Sequence, residues 1–187
     1  MSRFVIGLDL GQSQDFTALA VLEYSGNIRR RYACRHLERV PLGTDYPAIV
    51  ARVAELRRYK ALQDAALVVD AGGPGRPVVD MLRAAHLNPI PVGIVAGRTV
   101  RRKGQMIHVP KSVLIGTLIE LFEGGRLAFS SGLPESTALT RELAAFRRII
   151  TKAGNVTYSA KSGAHDDMIL AVALAAWYGE SIALQKL

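Results

Sequence analysis

Three short runs of branched and apolar residues, separated by tight connections, open this chain, and strand-like and helix-like segments alternate after them. Phe4 to Leu10 and Thr17 to Tyr24 read as strands, and Ser25-Gly26-Asn27 as a turn into a third strand from Ile28 to about Glu38. Asp45 to Leu62 then carries Ile49, Val53 and Leu56 at helical spacing. Ala65 to Asp70 is a short buried strand, broken by Gly72-Gly73-Pro74-Gly75. Arg76 to His86 reads as a helix, Ile90 to Ala96 as a strand, and Lys111 to Glu123 as a helix stopped by Gly124-Gly125. Arg126 to Ser130 is a short strand, Pro134 to Ile150 a helix, and Thr151 to Ala160 a loop with an extended piece. Asp166 to Leu184 closes the series as a helix. An antiparallel meander followed by strand–helix alternation predicts an α/β fold: a mixed sheet with helices on both faces.

The 187 residues suffice for one domain, and the expectation is a single unit over 1–187. Forty-nine per cent apolar and 21 per cent charged residues are a globular composition. The lone Cys34 excludes a disulfide framework and a cysteine-built metal site. The longest apolar run, Met168 to Tyr178, is too short to span a bilayer, and Phe4-Val5-Ile6 leads into Asp9 without a signal-peptide pattern. The chain is therefore expected to be cytoplasmic, with no membrane partner. Lys and Arg number 24 against 16 Asp and Glu, a net charge of +8, and 18 of the cations are Arg. Arg binds phosphate through a planar fork, so nucleic acid leads the list of partners.

Few carboxylates lie in apolar segments, and their places are informative. Asp9 sits in the first strand between Leu8 and Leu10, Asp70 ends the strand Ala65–Asp70, and Asp166-Asp167 open a helix that is apolar nearly all round. Each has a plainer reading. Asp9 fits a strand-end turn, Asp70 the turn into Gly72-Gly73, and the Asp166-Asp167 pair an N-cap with a first-turn partner for the helix dipole. In an open sheet, however, strand ends and a helix N-terminus meet in one crevice. Carboxylates about 4 Å apart repel by roughly 4 kcal/mol at an effective dielectric near 20, so such a cluster shares protons or binds cations. Oxygen ligands favour Mg²⁺ or Mn²⁺, and a pair of such ions serves phosphodiester cleavage. His165 stands beside the pair, as a ligand, a proton shuttle or a packing residue.

The stretch Asp9-Leu10-Gly11-Gln12-Ser13-Gln14-Asp15-Phe16-Thr17-Ala18 resembles the first-strand motif of phage large-terminase nuclease domains, in the ribonuclease H-like superfamily. Val109-Pro110-Lys111, Gly125-Arg126-Leu127, Arg141-Glu142-Leu143 with Phe146, and His165-Asp166-Asp167 before an Ala-rich helix carry the resemblance nearly to the end, from Phe4 to Trp177. It implies an endonuclease for double-stranded DNA that uses Mg²⁺ or Mn²⁺, two ions in all, in viral genome packaging. Asp9, Asp70 and Asp167 would be the metal ligands, with Asp166 accessory or alternative, and Asp15 would have a turn role. A packaging ATPase domain, a portal and a small terminase subunit would be the partners. The Walker signature of such an ATPase is missing: Gly72 to Pro77 has no Lys followed by Ser or Thr.

For DNA, the best candidate is the segment with Arg98, Arg101, Arg102 and Lys103, a loop or hairpin flanked by glycines, followed by Lys161. Arg29, Arg31, Arg35 and Arg39 recur at even spacing and are expected on one face of the third strand, either solvated or against DNA. Competing readings are a Holliday-junction resolvase of the same superfamily, a DNA-binding module that does not cut, and one lobe of an actin-like ATPase. The resolvase reading is weakened by Asp70, where resolvases usually carry Glu.

Overall fold

The structure, a computed structural model, describes residues 3–11, 15–27, 29–73, 75–130, 132–150, 156–160 and 165–184. Ten strands and five α-helices follow one another along these residues. Strands β1 (Phe4–Asp9), β2 (Thr17–Ser25) and β3 (Arg31–Val40) form the expected antiparallel meander. Helix α1 (Tyr46–Leu56) leads to β4 (Ala66–Asp70), and α2 (Gly75–Ala84) to β5 (Pro89–Val95). Strands β6 (Arg101–Lys103) and β7 (Met106–Pro110) precede α3 (Lys111–Glu123), β8 (Leu127–Phe129) and α4 (Ser136–Ala145). Strands β9 (Phe146–Ile150) and β10 (Val156–Ala160) pair with each other, and α5 (Asp167–Leu184) follows.

The main sheet has the order β6-β7-β5-β4-β1-β2-β3-β8. Strands β1, β4, β5 and β7 are parallel and so end at one edge. One face packs on α3 and α5, with Leu114, Ile115, Met168 and Ile169 in its core; the other packs on α1 and α2, with Ile49, Val53, Val78 and Leu82. Burial on both faces explains why Leu67, Val68 and Val69 read as a continuous apolar run.

Helix α1 starts as its sequence dictates: the Asp45 side chain accepts from Ala48 N–H at 2.8 Å, and a proline occupies the first turn. It stops six residues before the expected Leu62. Past Leu56 the next inward positions fall on Tyr59 and Lys60, both exposed, and the chain turns through a 3₁₀ segment at Lys60–Leu62. The expected helix Pro134–Ile150 is also corrected. Only Ser136–Ala145 is helical, and Phe146–Ile150 pairs antiparallel with Val156–Ala160, where Ile149, Ile150, Val156, Thr157 and Tyr158 favour extended backbone. The strand Met106–Pro110 was not expected; it lies between β5 and β6, so the Arg98–Gly104 segment is half of a hairpin.

The four arginines near the third strand do not share a face. The pairing of β2 with β3 skips Arg35, so that Val21 faces His36 while Leu22 faces Cys34. This bulge reverses the alternation beyond it. Tyr32, Cys34 and Leu37 all join the core beneath α5, and Arg39 turns to the same side. Arg29 precedes the strand altogether.

Candidate metal centre

Asp9 and Asp70 end neighbouring parallel strands. The register Leu8 to Val69 carries one step further to the two aspartates, and adjacent strands lie about 4.8 Å apart. The third acidic segment reaches them because α5 lies directly on β1. A Cβ on Gly7 would stand 2.0 Å from the Ala171 carbonyl oxygen, so only a residue without a side chain admits this approach. Two residues along the strand from Gly7 stands Asp9, and four residues back along the helix from Ala171 stands Asp167. Those steps are each about 6 Å, so the two carboxylates arrive at the same level.

Asp9 is buried, and its carboxyl is held well above the usual range, first by loss of solvent and then by repulsion from Asp70, Asp167 and Asp166. The other three expected aspartates are thus near enough to act on Asp9. Burial also raises Asp70, against the pull of backbone N–H groups at Gly72 and Ile94; its Oδ1 accepts from Gly72 N–H at 2.8 Å. Burial pushes Asp167 up to about 6, against the pull of His165 and Arg39. Asp166 occupies the N-cap position, its carbonyl accepting from Leu170 N–H at 2.9 Å. Exposed Asp15 adds a further negative charge felt by Asp167. His165 places Nδ1 3.8 Å from Asp167 Oδ2, too far for a hydrogen bond, and rests edge-on against Phe16.

Lys111 answers this charge. Its ammonium lies 2.6 Å from Asp166 Oδ2 and favours the ionised forms of Asp9 and Asp70. A cation on the first residue of a helix opposes the helix dipole, and α3 has no acidic residue in its first turn. The nearby aspartates make the placement favourable. That misplaced charge was the signal available in the sequence, where Lys111 served only as part of a resemblance.

The donor set suits a hard divalent cation. It consists of carboxylate oxygens, and Asp167 Oδ2 is buried without a hydrogen-bond partner. Among the described residues, no three His, Cys, Asp or Glu side chains converge closely enough to clasp an ion as they stand. Past the end of β4, a cavity of about 460 Å³ opens among Ala71, Arg76, Arg83, Lys103 and His108. Arg101, Arg102 and Lys103 are exposed on β6, and Arg98 is exposed in the segment before it. Gly97 accepts a hydrogen bond from Ser112 at 3.1 Å, which ties this segment to the helix end that carries Lys111. Lys161 lies outside the described residues.

The profile of the terminase RNaseH-like domain matches residues 6–177. The chain belongs to the terminase RNase H-like nuclease domain family. It is 30% identical over 177 residues to the terminase large subunit of Thermus phage G20c, a match that covers 92% of this chain and 31% of that protein. The chain thus spans about a third of the length of the curated relatives it matches. The large terminase nuclease of phage G20c with bound magnesium superposes with a TM-score of 0.70 at 28% identity, covering 92% of this chain and 79% of that one. The nuclease domain of bacteriophage SPP1 with bound manganese shares the fold, with a TM-score of 0.59 at 19% identity over 92% of this chain and 84% of that one. Membership removes the actin-like reading. Among the described residues, no helix is long and apolar enough to cross a membrane.

Proposed function

We propose that the chain is one nuclease domain over 1–187 that cuts double-stranded DNA with little sequence preference, using Mg²⁺ or Mn²⁺ held by Asp9, Asp70, Asp167 and Asp166. The observation that carries this reading is the buried Asp9, raised first by loss of solvent and then by three neighbouring aspartates, together with a buried Asp167 oxygen that has no hydrogen-bond partner. Two divalent ions in that crevice would supply Lewis acidity, making water nucleophilic near neutral pH and stabilising the leaving 3′ oxygen. The residues set the stage for that chemistry. Asp9, Asp70 and Asp167 would hold the ions, with Asp166 beside them. Lys111 balances part of the negative charge.

Arg98, Arg101, Arg102 and Lys103 extend the positive surface from this edge, and Lys161 is assigned to DNA on its place in the sequence before Asp166. Phosphate contacts of this kind position a duplex without reading its bases. In its working setting the domain acts in the host cytoplasm, trimming packaged DNA beside a packaging ATPase domain, a portal and a small terminase subunit. The name terminase large subunit carried by the relatives supports that setting.

The test is cleavage of supercoiled plasmid in Mn²⁺ with and without chelator. Wild type should nick and linearise the plasmid, chelator should stop it, and Asp70→Asn should be inert with an unchanged circular-dichroism spectrum. An Asp70→Asn variant that cuts like wild type would remove Asp70 from the site.

A further inference from the structure

Helix α5 begins with two acidic residues, and the first stands at the position whose side chain ordinarily accepts an N–H of the first turn. Here that task is performed from elsewhere. The Ile169 N–H, third in the helix, donates to Glu142 Oε2 at 3.2 Å, and Glu142 comes from α4. Asp166 turns its carboxylate to Lys111 instead. Glu142 is buried, and its other oxygen accepts from the guanidinium of Arg39 on β3. Arg39 in turn lies over the ring of Phe16, 4.7 Å from its centroid, and Phe16 meets His165 edge-on at 5.0 Å. These residues brace the start of α5 from both sides.

We infer that Glu142, fixed by Arg39, is a positioning residue that caps α5 in place of Asp166, leaves the Asp166 carboxylate to Lys111, and so fixes the first turn that presents Asp167 to a divalent cation. The inference rests on the metal-centre reading above. A cap supplied from α4 ties the first turn of α5 to a second element, so the direction of Asp167 is set by packing between elements. The β3 bulge at Arg35 turns Arg39 inward to hold Glu142.

The experiment measures Mn²⁺ binding to the whole chain without DNA, by calorimetry, together with thermal unfolding in chelator. Replacing the pair as Arg39→Met with Glu142→Met removes the cap while leaving no buried charge alone, a change that folded proteins commonly tolerate. This double variant should unfold near the wild-type temperature yet bind Mn²⁺ about tenfold more weakly or worse, the usual effect of removing a group that orients metal ligands. Glu142→Gln keeps an oxygen for Ile169 N–H and should bind within about threefold of wild type, short of the tenfold or greater loss expected of the double variant. The idea is overturned if the double variant is folded and binds like wild type while Asp167→Asn has lost binding. It is equally overturned if Glu142→Gln is as deficient as Asp167→Asn. If wild type itself takes up no Mn²⁺, the metal-centre reading falls as well.

Discussion

Gly7→Ala tests the contact that brings two of the carboxylates together. The new Cβ would stand 2.0 Å from the Ala171 carbonyl oxygen and 3.1 Å from Ala175 nitrogen. A carbon normally stays about 3.3 Å or more from a carbonyl oxygen, so α5 must lift from β1 by about 1.3 Å or the strand must bow away. Overpacking of this kind costs roughly 1–3 kcal/mol, which for a chain of this size lowers the unfolding temperature by about 2–12 °C. The catalytic consequence should be larger than the thermal one. Asp167 is one helical turn from the contact and Asp9 is two residues from it, so the displacement reaches the site nearly undiminished. A misplacement near 1 Å costs about a hundredfold in rate. Plasmid cleavage in Mn²⁺ at a temperature where both proteins are folded should therefore fall by about two orders of magnitude, while DNA retention in a gel-shift without metal stays unchanged. Because the obstacle is a backbone oxygen, adding Ala171→Gly should rescue nothing. Wild-type cleavage and unfolding temperature in Gly7→Ala would show that α5 does not approach β1 in this way, and the placement of Asp167 opposite Asp9 would fall with it.

Further outcomes follow from the charges. In chelator, Lys111→Met should lower the unfolding temperature, because the carboxylates lose their ammonium; added Mn²⁺ should narrow the gap, as read by calorimetry. The pH dependence of metal-free stability should run opposite to that of an ordinary salt-bridged carboxylate. Burial pushes Asp167 up to about 6 and Glu142 up to about 7, so the folded state binds more protons than the unfolded one between about pH 4 and 7. Stability in chelator should thus fall as pH rises through that window, and a rise measured by denaturant titration would contradict the assignment. Arg101→Glu with Lys103→Glu should weaken duplex binding and reduce the salt slope by about one for each phosphate that is no longer neutralised, with the unfolding temperature unchanged. An unaltered slope would take β6 out of the DNA track.

What the sequence made visible and what it hid divide along physical lines. The meander, the buried β4 and the apolar α5 were legible because hydrophobic pattern and turn residues act locally, and all three mark where an aspartate sits. The strands β7 and β9 were not. Met106–Pro110 is too short to show a period, and Phe146–Ile150 is extended because β10 pairs with it, a relation that no window on one segment contains. The same limit applied to the site. Asp9, Asp70, Asp166 and Asp167 stood out one by one as charges in apolar surroundings, whereas Glu142 and Arg39 look like ordinary surface residues on their own segments. Arg39 shares its even spacing with Arg31 and Arg35, yet the bulge at Arg35 reverses its side. A carboxylate that meets a cation advertises itself through the cost of burying it, but a residue that holds the carboxylate in place does so by packing between elements far apart in the chain. The ion-binding groups are therefore the part of such a centre that composition reveals, and the groups that aim them emerge only once the sheet is assembled.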